Sequence, residues 1–538
     1  MDCIHKGDMI KFEETEMKMT ENKYVNWMKK HKRLLKALLM SLLPLVCCVV
    51  ACALQGKTIS QVYLPAGEWN DELFYFKQVE GIVHFGYPRG YFGFNESHAL
   101  KASFAAWSPV LVFPWILWGL CFGWNLLSPI YCNIFLMMLA VFLFVWLTDA
   151  DKKQLLILTI LFASFTPITR YMLSGMPECI CFSLVIIVLG LSVNYQKKEK
   201  NWKLGVLLLM TAVMTLMRPY LILFMLFPIY YLVRKKKWKG AGICGIVVIV
   251  TGGLYAAISH FFSAEYFTPL FDTTWVATFL HQGIFAGIKY VLWRLLHVGI
   301  NFFELIGDGI KTDLFWGEYF GAFLVVMLII LLETVLDFVK KRKKEQILHL
   351  YLSVCFVGMW VALLLMYKMK EGSKHLLTFT VAGIFAISLM ETRFFKKAVL
   401  TAAVFAWLFV ATPTDPYEHK IPFSTEELLE ESSLWEEVFS KECVLETKDV
   451  PNYENSMIWV FADMVEGQSV ITRYQMLYQL PEGFGISCCY ADYVTENLTK
   501  LQSKYVAVTE NGTVDQACKA GGYREIERHG GLVVYELH

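Results

Sequence analysis

Residues 29–54 read KKHKRLLKALLMSLLPLVCCVVACAL. A basic block, Lys29-Lys30-His31-Lys32-Arg33, opens onto an apolar run from Leu34 to Leu54 that is long enough to cross a bilayer. A cleaved signal peptide has a shorter apolar core and a small-residue cleavage site; here the run leads into Gln55-Gly56-Lys57. The reading is an uncleaved anchor, with the tail 1–33 held in the cytoplasm by its positive charge.

Working outward, the rest of the chain repeats this theme. Of 538 residues 56% are hydrophobic and only 18% charged, and the mean hydropathy is +0.45. A water-soluble protein of that balance cannot cover its apolar surface, so lipid must solvate much of it. Formal net charge is +1, which offers a nucleic acid no electrostatic footprint. Apolar segments follow at 109–122, 125–147, 155–172, 177–194, 204–217, 219–233, 240–259, 315–337, 348–367, 374–391 and 398–413. Basic clusters at 197–200, 234–237, 340–344 and 393–397 belong in the cytoplasm.

Parity then requires one segment not to cross. Segment 109–122 is short, carries Pro109 and Pro114, and is rich in tryptophan (Trp115, Trp118), so it is assigned to the interface or to a re-entrant position. The expected fold is a polytopic α-helical membrane protein with about eleven crossing helices. The transmembrane domain spans 34–413, with long outer loops at 57–124 and 260–314. Within the second loop, Trp275 to Gly307 is expected to form amphipathic interfacial helices.

From Thr414 the apolar runs shorten and acidic residues rise. Strand-like segments at 469–472, 505–508 and 532–535, with an amphipathic helix from Ser424 to Phe439, predict a small extracytoplasmic α/β domain over 414–538. Cys443, Cys488, Cys489 and Cys518 lie in it, and their disulfide state is open at this level. Asn95, Asn497 and Asn511 each begin a glycosylation-type tripeptide, a pattern frequent by chance.

On this topology the ionisable residues with chemical potential gather on the outer face. Asp71 and Glu72 open the first loop; mutual repulsion and partial desolvation there suit a general base, although an acidic pair also simply solvates a loop. Glu178 follows Met176-Pro177 at the start of an apolar helix. It is either a partner for the helix dipole or a second acidic group facing Asp71. Arg218, at the tip of an apolar hairpin, is a candidate by default for binding a lipid phosphate, with snorkelling to head groups as the alternative; Lys374 and His375 are similar, and Arg170 and Arg89 are secondary candidates. The histidines and carboxylates of 260–314 lack zinc-ligand spacing.

Several features recur in a telling order: Asn70-Asp71-Glu72 opening a long first loop, Trp107-Ser108-Pro109 leading into an apolar segment, Ser174-Gly175-Met176-Pro177-Glu178, and Leu216-Met217-Arg218-Pro219. In this the chain resembles the GT-C superfamily of polyprenyl-phosphate-dependent glycosyltransferases, particularly its protein O-mannosyltransferase and aminoarabinose-transferase-like branches. The likeness covers the first 230 residues and is one of layout beyond them, and the usual double proline after the first loop is only Ser108-Pro109 here.

The resemblance implies an inverting glycosyltransferase acting on the outer face. Asp71 would be the catalytic base, Glu72 would help position it, and Glu178 would be the second acidic residue. Cationic residues would stabilise a polyprenyl-phosphate leaving group. Metal use stays open: Mg or Mn, where needed, would fall to Asp71 and Glu178. The acceptor would be a protein, a lipid or a cell-wall glycan. A transporter or flippase of lipid-linked glycans and a non-catalytic envelope-assembly protein are the alternatives; both fit less well, because ionisable residues crowd the outer boundary and no internal repeat is visible. Short loops and the lack of an organelle-retention signal point to a bacterial plasma membrane.

Overall fold

The computed structural model describes residues 31–62, 70–86, 95–96, 108–262, 272–312, 315–339, 346–367, 372–390, 395–411, 421, 423, 453, 456–461, 463–465, 480 and 484–538. The anchor is a helix, α1 (His31–Ala53). After the amphipathic α2 (Asn70–Phe85) and the short apolar α3 (Phe113–Phe122) come α4 (Ser128–Thr148), α5 (Lys152–Ser164), α6 (Thr166–Met172), α7 (Glu178–Lys197) and α8 (Asn201–Met217). A 3-10 stretch, Pro219–Met225, leads into α9 (Leu226–Arg234) and α10 (Trp238–Phe262). Then follow α11 (Thr274–Gln282), α12 (Ile284–Thr312), α13 (Phe315–Val339), α14 (Gln346–Met366), α15 (Ser373–Leu389) and α16 (Phe395–Ala406), which ends in a π turn, Trp407–Ala411.

Among the described residues six helices are long and apolar enough to span a membrane, and α5 with α6, bent by 68° at their break, is either a broken span or a re-entrant pair. Shorter apolar helices lie at 109–122, 201–217, 219–234 and 373–389. Tight helix contacts come from small residues. A Cβ on Gly383 of α15 would sit 2.1 Å from Val326 on α13, and one on Gly190 of α7 would meet the α4 backbone at 3.2 Å.

The two ends differ in charge. At one, Lys36 donates to Asp149 at 3.0 Å, Lys197 donates to the carbonyl of Thr148, Glu199 pairs with Lys237, and Lys397 meets Glu333 at 2.6 Å. The basic residues described at 197–200, 234–237 and 396–397 thus collect there; 340–344 and Arg393 lie outside the described residues. At the other end lie α2, the α6–α7 turn, Arg218 and the start of α15.

Helix α3 stays at that second end. Its Pro114 carbonyl takes the Cys132 thiol, and the Gly123 carbonyl takes the Ser128 hydroxyl. The stretch from Pro114 to Gly123 therefore spans one turn of α4, so α3 lies across α4. Helix α12 passes Leu364 at Arg294, then Trp360 and Phe320 at Phe302, crossing the ends of α13 and α14 obliquely. Phe285, Ile288, Leu292, Leu296, Ile300 and Phe303 make an exposed apolar stripe at helical spacing.

The C-terminal part is a five-stranded sheet of β1 (Ser456–Phe461), β2 (Gly485–Tyr490), β3 (Tyr505–Thr509), β4 (Arg524–His529) and β5 (Leu532–Glu536), in the order β2-β1-β3-β5-β4. Strand β1 is parallel to β2 and β3, whereas β3–β5 and β5–β4 are antiparallel. Helices α17 (Ala491–Asn497) and α18 (Thr513–Ala520) cover one face. Alternation along the strands decides what each face touches. Ile458, Val460, Cys489, Val506 and Val533 pack with the two helices. Met457, Trp459, Cys488, Ala507 and Val534 belong to the same apolar cluster as the membrane domain. Cys488, Cys489 and Cys518 are free thiols; burial pushes Cys489 and Cys518 up to about 12, leaving them inert. Cys443, the expected helix 424–439, the expected strand 469–472 and the 414 boundary lie outside the described residues.

The first outer loop is latched to this domain. Asn95 and Glu96 both hold positive φ (52° and 56°), a conformation unfavourable for glutamate. It is held by ladder-like bonds from the Asn95 N–H to the Cys488 carbonyl and from the Glu96 N–H to the Ser487 hydroxyl. The Glu96 carboxylate accepts from the N–H groups of Gln502 and Ser503 and from the Ser503 hydroxyl at 2.6 Å. Charge-assisted bonds of this kind contribute about 1.5–3 kcal/mol. Glu96→Ala should therefore speed hydrogen exchange at the Gln502 and Ser503 amides by at least about tenfold while sparing β5. Unchanged exchange at both amides would mean the latch is not formed.

Candidate active site

The site is built on two proline-marked turns. Pro177 precedes α7, so Glu178 is its first residue and meets the positive end of the helix. Pro219 forces Arg218 into an extended conformation (φ −141°) and ends α8 there. The two turns meet. Arg218 Nη2 donates to Glu178 Oε1 at 2.7 Å, with side-chain exposures of 1% and 5%. Arg218 is thus buried in protein, and the head-group snorkelling open to it in sequence does not occur.

Around the pair lie groups that the sequence spread over the chain. The Tyr220 hydroxyl and His375 Nδ1 are 3.1 Å apart, and both rings pack against Tyr367. Tyr75, Tyr220 and Cys181 stand within electrostatic reach of Arg218, as does Tyr255 of α10. Lys374 is half-buried in the first turn of α15. Arg170 is buried on α6, whose C-terminal turn is tied down by Asn133. That amide donates to the carbonyls of Tyr171 and Ser174 and accepts from Trp115 Nε1 at 3.0 Å.

The acidic pair lies in the first turn of α2 and not in an open loop. Glu72 is fully buried, whereas Asp71 is half-buried. Asp71 and Glu72 precede Tyr75 by four and three residues, so all three share a helix face, and Tyr75 is the residue that reaches Arg218. Helix α2 is held on its other sides. The Phe76 carbonyl accepts from Trp124 Nε1 at 3.1 Å. Lys77, itself buried, pairs with Glu80 at 2.8 Å and points its ammonium at the Leu480 carbonyl of the C-terminal part. Arg89 lies outside the described residues.

Farther along the same end, Arg294 of α12 meets Asp272 at 2.6 Å. Hydrogen bonds from Thr274, with Arg294 adding to them against the effect of burial, hold Asp272 below the usual carboxylate range.

For a metal, the donor set falls short. Among the described residues no three His, Cys, Asp or Glu side chains are grouped to hold an ion. Glu178 Oε1 is committed to Arg218. Tyr220, Asn133 and the Lys77–Glu80 pair escaped the sequence reading, since each sits in an apolar or aromatic run where nothing but the fold marks it.

No protein-family model matches this sequence, and no curated protein matches it either. Solved structures do. The fold is similar to that of the Archaeoglobus fulgidus oligosaccharyltransferase in complex with Zn and sulfate, at 13% identity and TM-score 0.50, over 88% of this chain and 67% of that one. Two others are the AglB oligosaccharyltransferase of the same organism with an inhibitory peptide and a dolichol-phosphate (12%, TM-score 0.48, 89% and 70%) and ArnT of Cupriavidus metallidurans bound to undecaprenyl phosphate (10%, TM-score 0.49, 93% and 97%). The first of these likenesses shows the fold, a polytopic helical bundle completed by a small C-terminal sheet domain.

The Arg218–Glu178 pair makes a direct prediction. Removing one member leaves the other charge buried alone, at a cost of about 3–5 kcal/mol, whereas replacing both with apolar groups is close to neutral. Arg218→Met should lower the thermal midpoint in detergent, and adding Glu178→Leu should restore most of it. An unchanged midpoint for the single variant would contradict the pairing.

Proposed function

We propose that this protein is an inverting glycosyltransferase that moves a sugar from a polyprenyl-phosphate donor to an acceptor at the membrane boundary. The observation that carries the reading is that Tyr75, one turn after the Asp71-Glu72 pair on α2, stands within electrostatic reach of the buried Arg218–Glu178 pair. Such intramembrane charges are functional candidates by default. The shared fold with an oligosaccharyltransferase and the order of the sequence motifs support the same class.

Asp71 is assigned as the base because it keeps access to solvent, while the buried Glu72 positions the turn. The acceptor hydroxyl loses its proton to Asp71 as its oxygen attacks the anomeric carbon. The bond from that carbon to the phosphate oxygen breaks on the opposite side, and the electron pair leaves with the polyprenyl phosphate. Lys374 and Arg170, with Arg218 held rigid by Glu178, supply positive potential for the departing anion; Arg89 and His375 are the remaining candidates for that role. No step is routed through a metal. The basic end is assigned to the cytoplasm, which puts the reaction on the outer face of a plasma membrane.

The test is transfer of label from a polyprenyl-phosphate sugar in membranes. Asp71→Asn keeps the helix start but removes the base, and should reduce transfer by about 100-fold or more, with thermal stability and donor binding retained. Full transfer by Asp71→Asn would overturn the assignment.

A further inference from the structure

A cavity of about 450 Å³ opens at the basic end of the bundle, far from the site above. Its volume falls within the roughly 300–1,000 Å³ of small-ligand sites. Its wall is made by the ends of α4, α5, α7, α14 and α15, with Asp149, Lys197, Gln196, Leu348 and His349 among the lining residues. It plays no part in the transfer mechanism, and the proposal below does not rest on that mechanism.

The chemistry of the wall selects a ligand. Lys197 uses one N–H on the Thr148 carbonyl, which leaves the other two for the cavity. Asp149, the carboxylate at the wall, already accepts from Lys36 and stands within reach of Arg33 and Lys197. Three cations around one committed carboxylate leave the mouth positive. His349 is 5% exposed, and its Nδ1 lies 2.6 Å from Oδ2 of the fully buried Asp337. That bond fixes the ring and leaves Nε2 for the cavity. A positive rim beside an oriented imidazole suits an anion that also carries hydroxyls. Helix α1, whose Lys36 bonds Asp149 of the wall, leaves Leu38, Leu39 and Leu42 exposed, so an acyl chain has an apolar surface to follow. Basic pockets between spanning helices at a cytoplasmic boundary are suited to phospholipid head groups.

We infer that this cavity binds a hydroxyl-bearing phosphate ester, supplied as the head group of an anionic phospholipid in the leaflet at the basic end.

The full-length protein in phosphatidylcholine nanodiscs, with and without phosphatidylglycerol, provides the test, read by native mass spectrometry of retained lipid. Wild type should retain phosphatidylglycerol over phosphatidylcholine. Lys197→Gln and His349→Gln should each weaken retention roughly tenfold, the equivalent of about 1.4 kcal/mol, and Lys197→Arg should restore it. Lys152→Gln, an exposed basic residue of neighbouring α5, should change nothing. Competition by free glycerol phosphate would support the phosphate-ester chemistry and name a soluble source; resistance to it would support the lipid. Equal retention of both lipids, an effect of Lys152→Gln as large as that of Lys197→Gln, or retention untouched by the Lys197 and His349 variants would each overturn the proposal. Should His349→Gln fail to fold, the Lys197 pair of variants decides alone.

Discussion

The contact on which the active end depends is the ion pair between Arg218 and Glu178. A guanidinium and a carboxylate taken out of water are expensive unless each sees the other, so the pair leaves the α6–α7 turn and the α8–Pro219 turn one way to meet. That constraint orders the neighbourhood. Tyr220 follows Arg218 by two residues and is delivered to His375 at the start of α15, while Tyr75 brings α2 to the same charge. Four elements distant in sequence therefore converge on one cation.

A second layer of constraint comes from outside the membrane. Helix α2 is too polar to hold itself in lipid, and its buried Lys77–Glu80 pair would be costly in an isolated loop. It is held in place because Trp124 donates to its Phe76 carbonyl and the Leu480 carbonyl receives Lys77. The C-terminal sheet makes this possible by turning one apolar face to the membrane domain and the other to its own helices. The Glu96 latch reinforces the same junction. The geometry thus gives the C-terminal part a structural task, that of fixing the helix which carries Asp71.

Much of the membrane architecture was legible in the sequence because bilayer thickness and loop charge are strong, additive signals. The anchor run Leu34 to Leu54 and the long apolar helices at 128–148 and 238–262 follow from them. Strands 505–509 and 532–536 were legible from β-branched alternation, whereas β2 (GISCCY) and β4 (REIERH) were not, since neither carries that composition. The helical start at Asn70 was hidden for another reason. Asp71 and Glu72 make a good first helical turn, but the apolar residues after them are interrupted by Lys77, Gln78 and Glu80, which are buried only through tertiary partners. Likewise Arg218 and Glu178 were each marked by a proline, yet their mutual contact belongs to packing across forty positions and has no local signature.

The most direct measurement asks whether the acidic turn and the cationic cluster share a boundary. In a chain with its fourteen native cysteines replaced, single cysteines at positions 71, 374 and 198 can be labelled by a membrane-impermeant thiol reagent applied to sealed vesicles of known orientation. The account predicts that Asp71→Cys and Lys374→Cys react from one side and Lys198→Cys only from the other. Reaction of the first two from opposite sides would contradict it.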